Sequence, residues 1–443
     1  MRTPIYDFVR GYLYSKASRF HMPGHKGSGE LGAEALDITE IAGADTLYHE
    51  EGIIAESEKY AAELFGARST FYSTEGSTLA IKAMLATALV SCGKSRTLLA
   101  ARGAHKSLIY AAGELDFNIE WIYPEENEHF CSCTVTPEKL RCRLSEIERP
   151  FAVYITSPDY LGKMADIPAL SEVCHELGVP LLVDNAHGAY LAFSKNKQHP
   201  IRQGADMCAD SAHKTLPVLT GGGYLHISHA APKDFSQIAP DMLSAFASTS
   251  PSYLILLSLD LCNRKLSDGY GERIDSCIAR VLKLKEEFSD IAVPSEPMKI
   301  VLSAAKIGYS GDELANYLRE KGIEPEYADC EYVVLMPTPE NSEEDFKSLG
   351  GALTSITRRK PIKILHPSFS LTDFKVPIKE AIFGASETVD VSEAVGRICS
   401  APMAACPPAV PIVVSAELIT EELVDVLQHY GIKQIKVVKE PLK

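Results

Sequence analysis

Between residues 60 and 230, short apolar runs alternate with longer stretches in which apolar residues return every three or four positions. The short runs predict strands over 69–73, 97–100, 119–123, 151–157, 180–184, 206–210 and 223–228. The longer stretches predict helices, as at 77–90, where Leu79, Ile81, Met84, Leu85 and Leu89 recur, and at 167–177. Strand and helix in alternation point to an α/β fold with a largely parallel sheet flanked by helices. The near-continuous run Pro180-Leu-Leu-Val183 fits a strand covered on both faces. Residues 252–288 predict a long helix broken near Gly269 and Gly271. Beyond it the texture changes to a smaller α+β pattern, with strands over 299–303, 332–336 and 410–415 and helices over 312–321, 342–356 and 420–430. The domains expected are an N-terminal helical segment (1–30), a large α/β domain (31–295) and a small C-terminal α+β domain (296–443). The proline-rich stretch 402–411 predicts an ordered crossing loop.

Composition narrows the function. The chain has 443 residues with 44 basic and 59 acidic side chains, a net charge of −15, which argues against a nucleic-acid partner. No apolar run reaches the roughly 20 residues that span a bilayer, and the N-terminus lacks an apolar signal core, so no membrane partner is expected. The eleven cysteines form no framework, and Cys131-Ser-Cys133 matches no zinc or redox spacing. Reduced thiols in the cytoplasm are expected, and no metal.

Candidate chemistry gathers at the carboxyl ends of the predicted strands, where α/β sheets bind ligands. Thr74-Glu-Gly-Ser-Thr78 runs straight into a helix, and small residues with hydroxyls at a helix start can cradle an anion. Taken alone it reads first as an ordinary capped helix. Asp184 follows the apolar strand 180–183 directly, in Asp184-Asn-Ala-His-Gly-Ala-Tyr190, a poor place for a mere surface charge. Lys214 follows the next strand in Asp210-Ser-Ala-His-Lys-Thr-Leu-Pro217, with Gly221-Gly-Gly223 behind it. An anion cradle, a strand-end Asp and a strand-end Lys are the parts that hold pyridoxal 5′-phosphate (PLP): a Schiff base on the Lys and a carboxylate at the pyridinium nitrogen. His105, in Arg102-Gly-Ala-His-Lys-Ser107, offers a ring that can stack on the cofactor.

In sum these residues resemble the PLP-dependent ornithine, lysine and arginine decarboxylases of the aspartate-aminotransferase (type I) fold. The likeness runs over the whole chain and is strongest from 19 to 260. It is carried by His21-Met-Pro-Gly-His-Lys-Gly27, Ala44-Asp-Thr-Leu-Tyr-His-Glu50, Arg102-Gly-Ala-His-Lys-Ser107 and Thr156-Ser-Pro-Asp-Tyr-Leu-Gly162. Asp184-Asn-Ala-His-Gly188, Ser211-Ala-His-Lys-Thr-Leu-Pro217 and Thr249-Ser-Pro-Ser-Tyr253 complete it. The resemblance implies that Lys214 carries the internal aldimine, Asp184 pairs with the pyridinium, His105 stacks on the ring and His187 lies close by. Gly76, Ser77, Thr78, Ser211 and His213 would surround the phosphate, and Ser248 and Thr249 would reach the phosphate of a neighbouring subunit. A homodimer or larger homo-oligomer follows, without the flavodoxin-like N-terminal wing of the long family members.

The implied reaction is decarboxylation of arginine, lysine or ornithine, with arginine preferred, to an amine of polyamine biosynthesis. A basic substrate needs a carboxylate for its distal cation, and Glu326 and Glu417 stand in suitable segments. Three departures from the family pattern stand out: Glu75 in the cradle, Asn185 after Asp184, and Asp210 where a Gln is usual. The C-terminal proline motif also differs, reading Pro407-Pro-Ala-Val-Pro411. Transamination, aldol cleavage and sulfur elimination on the same fold stay open, with Arg397 as a candidate clamp for the α-carboxylate. A regulatory PLP-binding protein or dead paralogue would have no need of Lys214, Asp184 and His105 together.

Overall fold

The computed structural model describes residues 1–49, 51–125, 128–364, 374–403 and 408–439. Part of the expected crossing loop at 402–411 therefore lies outside the described residues. Seven strands match the first seven predicted runs: β1 (Ser69–Ser73), β2 (Thr97–Ala101), β3 (Asn118–Ile122), β4 (Ala152–Thr156), β5 (Leu181–Asp184), β6 (Met207–Asp210) and β7 (Gly223–Ile227). The chain divides into two compact units. The first comprises Met1–Ser95, Phe151–Ser157 and Asp166–Asp275; the second comprises Arg96–Pro150, Pro158–Ala165 and Ser276–Lys443.

The first unit holds five strands in the order β1-β7-β6-β5-β4. β4, β5 and β6 run parallel, with Thr156 beside Asp184 and Asp184 beside Ala209. β7 runs antiparallel to both β6 and β1, so the expected parallel run is broken by one reversed strand. Periodicity carries no sign of strand direction, which is set by the connection. The segment Ser211–Gly222 holds only a four-residue helical turn, Ala212–Thr215, too little for the crossover that a parallel return needs.

The helix Gly76–Cys92 packs on β6, β7 and the helix Phe235–Phe246. Leu79 through Ile81 and Ala83 through Leu89 are all buried, so this helix is covered nearly all round, not along one stripe. The long predicted helix is two, Tyr253–Ser267 and Tyr270–Glu287, parted at Gly269 as the glycine pair implied.

The second unit carries the parallel pair β2–β3. It also has a four-stranded sheet of β8 (Ala292–Val293), β9 (Ile300–Ser303), β10 (Tyr327–Ala328) and β11 (Tyr332–Leu335), and a hydrogen-bonded pair, β12 (Ser386–Asp390) with β13 (Gln434–Val438). Val391, Ile412, Val413, Leu423, Leu427 and Val437 are among the residues that build one of its cores. The strand expected over 410–415 is not formed; Val413 makes a single bridge to Met403. Side chains have taken the backbone groups that a ladder would use. Arg102 donates to the carbonyls of Pro411 and Ile412 (3.0 Å each), and Glu417 accepts from the Val414 N–H (2.8 Å). Among the described residues no helix is long and apolar enough to cross a membrane.

Candidate active site

The carboxyl ends of β1, β5 and β6 bring most of the predicted residues of the first unit together. After β1 the chain turns through Thr74 and Glu75 into the helix Gly76–Cys92. Ser73 Oγ braces the turn, accepting from the Glu75 N–H (3.1 Å) and donating to the Gly76 carbonyl (2.7 Å). Gly76 has φ +68°, a left-handed conformation that costs a side-chain-bearing residue about 1 kcal/mol or more. Gly223 is required for a different reason: a Cβ there would lie 2.9 Å from the Asp210 carbonyl and 3.0 Å from the Gly76 backbone. The two turns thus touch backbone to backbone, and Ser211 Oγ reaches Ser77 Oγ at 2.7 Å. His213 Nδ1 donates to the Gly222 carbonyl, 3.0 Å away, and its Cε1 lies 3.8 Å from where a Gly76 Cβ would be. Thr78 is exposed on the first turn of the helix. A hydroxyl pair at a helix start beside a glycine wall is an arrangement able to cradle an anion.

Lys214 lies on the short turn Ala212–Thr215, and its Nζ stands 2.9 Å from Nε2 of the buried His187. Asp184, only 2 % exposed, accepts from the Tyr154 hydroxyl and from the Ala186 N–H, both at 3.1 Å. Both donors are neutral. Burial pushes its carboxyl up, against the pull of the two donors and of the Lys214 charge. A buried carboxylate held by neutral donors is fitted to receive a cationic N–H from a ligand. Tyr154 carries no motif, since a tyrosine inside an apolar strand looks like core.

Glu75 is exposed, and its carboxylate is turned onto the Ser248 N–H at 2.7 Å. Ser248 and Thr249 are exposed in the same unit. His105 belongs to the second unit, where it is the N-cap of the helix Lys106–Leu115 and its Nδ1 stands 2.7 Å from Ser107 Oγ.

Three side chains considered for substrate contacts are engaged elsewhere. Glu417 is fully buried, with Oε2 3.3 Å from Arg102, whose guanidinium also lies over the Trp121 ring at 5.1 Å. It is an internal partner of Arg102 and not a receptor for a substrate cation. Glu326 accepts from the Tyr160 hydroxyl at 2.9 Å. Arg397, the candidate carboxylate clamp, is paired with Glu387 (2.6 Å) and donates to the Val438 carbonyl (2.9 Å).

Behind the site, on the other face of the sheet, Asp210 gathers His199, His226, Asn185 and Cys208. Sequence reasoning singled out Asp210 only as a departure from a motif, and His199 not at all.

The sequence pattern of the Orn/Lys/Arg decarboxylase major domain matches residues 3–301. Arginine decarboxylase of Bacillus subtilis is 30% identical over 455 residues, covering 95% of this chain and 92% of that protein. Arginine decarboxylase of Halalkalibacterium halodurans is 28% identical, covering 95% and 91%. Among solved structures, constitutive lysine decarboxylase of Escherichia coli superposes with a TM-score of 0.79 at 18% identity, over 99% of this chain and 82% of that one. An archaeal O-phosphoseryl-tRNA(Sec) selenium transferase shares the fold more loosely, at a TM-score of 0.57 and 15% identity. With the family pattern over most of its length and a 30% identical relative over nearly all of it, the chain belongs to the Orn/Lys/Arg decarboxylase family of amino-acid decarboxylases.

Proposed function

We propose that this chain decarboxylates a basic amino acid, arginine first among the three, with PLP as cofactor. The observation that carries the reading is the pairing of a strand-end amine with a buried carboxylate that only neutral groups hold. Arginine is favoured because relatives matching nearly the whole chain carry that name. The residues fit PLP. Lys214 would hold the aldehyde, Asp184 the ring nitrogen, and Gly76, Ser77, Thr78, Ser211 and His213 the phosphate. His105 would lie against the ring, and Ser248 and Thr249 would serve the site of a second subunit.

Bound there, PLP supplies an electron sink for the carbanion left when carbon dioxide departs. The protein's part is to place charges and protons. Asp184 would keep a proton on the ring nitrogen, and its burial would strengthen that contact by excluding water. Lys214 would be the group that the substrate amine displaces, and its amine would in turn displace the amine product. His187 Nε2, within hydrogen-bond reach of Nζ, takes the proton that Lys214 must lose to act as a nucleophile and can return one to the α-carbon. The cytoplasm, a homodimer and a small C-terminal domain from 296 belong to the same reading.

The test is an amine and carbon dioxide assay on PLP-loaded protein with arginine, lysine and ornithine supplied separately. Both products are expected from arginine, and Lys214→Ala is expected to abolish them. Release of a keto acid in place of an amine would sink the decarboxylase assignment.

A further inference from the structure

β6 carries Cys208 and Asp210 on the face opposite Ala209, and Ala209 is the neighbour of Asp184 across the ladder. Asp210 therefore projects from the other side of the sheet to Asp184. It is fully buried, and four side chains face its carboxylate. Oδ1 accepts from Asn185 Nδ2 (2.7 Å) and faces Cys208 Sγ (3.4 Å). Oδ2 faces His199 Nε2 (2.9 Å) and His226 Nε2 (3.3 Å). His199, Cys208 and Asp210 are close enough together to suggest a metal centre. The histidine tautomer argues otherwise. His199 Nδ1 accepts from the Ile201 N–H (3.4 Å), so the ring proton sits on Nε2 and points at Asp210. His226 Nδ1 lies 2.8 Å from Thr70 Oγ1, which can donate to it and leave the other ring proton toward Asp210.

With Asn185 and His199 as neutral donors and His226 Nε2 close by, Asp210 is an anion whose charge no cation on these elements cancels. Its direct link to the site is Asn185, the residue after Asp184, whose own N–H is fixed to the Ala209 carbonyl at 2.9 Å. On its C-terminal side Asp210 leads into Ser211, which meets Ser77, and then Lys214. A buried charge separated from Asp184 only by the thickness of the sheet acts in a medium of low dielectric, where it is screened far less than in water.

We propose that Asp210 is a positioning residue for Asp184. It anchors the turn that carries Asp184 and adds a second negative charge behind it, so that Asp184 holds a cationic ring nitrogen more firmly. The proposal rests on the PLP reading above. Motifs of the resembled family usually have a neutral Gln at this position, so this chain has an additional charge there, with two histidines to stabilise it.

The experiment uses protein loaded with PLP labelled with ¹⁵N in the ring. In Asp210→Asn the ring-nitrogen resonance is expected to move toward that of the unprotonated ring, with kcat down by about tenfold and KM little changed. Asp210→Glu, which restores the charge, is expected to bring the resonance back. A purely structural role would lower the melting temperature of D210N and leave the resonance of the folded fraction in place. That result overturns the proposal. If D210N does not fold, Asp210→Gln gives the same readout with the side chain of the related motif. Wild-type protein that shows no Lys214-dependent visible absorbance with PLP would overturn the cofactor reading, and this proposal with it. Normal wild-type loading with an unmoved ring nitrogen in the variants would overturn this proposal alone.

Discussion

Asp260 lies apart from the site, in the helix Tyr253–Ser267, and ties the N-terminal helix Pro4–Ser15 to the rest of the first unit. It accepts from the Tyr6 N–H (2.9 Å) and from Ser57 Oγ (2.6 Å). Burial pushes its carboxyl up to about 6. The folded state therefore binds a proton more tightly than the unfolded chain. That contribution is complete below about pH 4 and is lost as pH rises through 6. Asp260→Asn removes the titration, so its stability relative to wild type should rise by about 3 kcal/mol between pH 4 and 7. Urea unfolding at the two pH values measures this, and a pH-independent difference would show that Asp260 does not titrate. Arg102 makes the opposite case. Replacing it with Met leaves the fully buried Glu417 without its cation, at an expected cost of about 3–5 kcal/mol in the same measurement. At this scale the placement of polar residues was legible where they follow an apolar strand, as Asp184 ends β5 and Lys214 follows β6. Glu417 was misread because its partner is 315 positions away, and an acid in a loop looks the same solvated or buried. Tyr154, His199 and His226 were invisible, since each occupies a position that core residues also fill.

At the scale of elements, hydrophobic period located the first seven strands to within about two residues, because buried strands and covered helices differ in length and repeat. It did not report that β7 is reversed, nor that residues 410–415 form no strand. Both depend on what the backbone meets after folding, namely the short return after β6 and the Arg102 and Glu417 side chains. The contact between the two turns of the site also belongs here. Gly223→Ala pushes a methyl group against the Asp210 carbonyl and the Gly76 backbone, and no flexible side chain is there to yield. The expected result is a loss of about 1–3 kcal/mol in stability. PLP affinity should weaken with it, read by fluorescence titration. Gly269→Ala serves as the contrast: its Cβ meets no atom within 4 Å, so any cost comes only from its φ of +88° and PLP affinity should not change.

For the whole molecule, the proposed sharing of sites between subunits gives a test that needs no structure of the assembly. Lys214→Ala and the double variant Ser248→Ala, Thr249→Ala are each expected to be nearly inactive. If Ser248 and Thr249 serve the partner's site, co-refolding equal amounts of the two rebuilds one sound site in each hybrid dimer, and activity should return to about a quarter of wild type. No recovery would place the segment in its own subunit's site. The fold class was legible from the order of elements alone. Assembly was not, because composition and period describe one chain and say nothing of which surfaces it shares.

The reversal of β7 has a further consequence, for how the gene can vary. Because β7 runs against β6, the chain leaves the site edge of the sheet at Asp210 and re-enters it at Gly223 without crossing to the far edge. Asp210, Ser211, His213, Lys214 and the glycine wall are therefore one uninterrupted closed loop, pinned at both ends by the ladder. An insertion or deletion between Asp210 and Lys214 shifts the turn that carries Lys214 and displaces it from His187. The loops beyond the opposite edge are free of that constraint. Length variation among functional homologues should therefore be excluded from 210–214, however freely the side chains within it change.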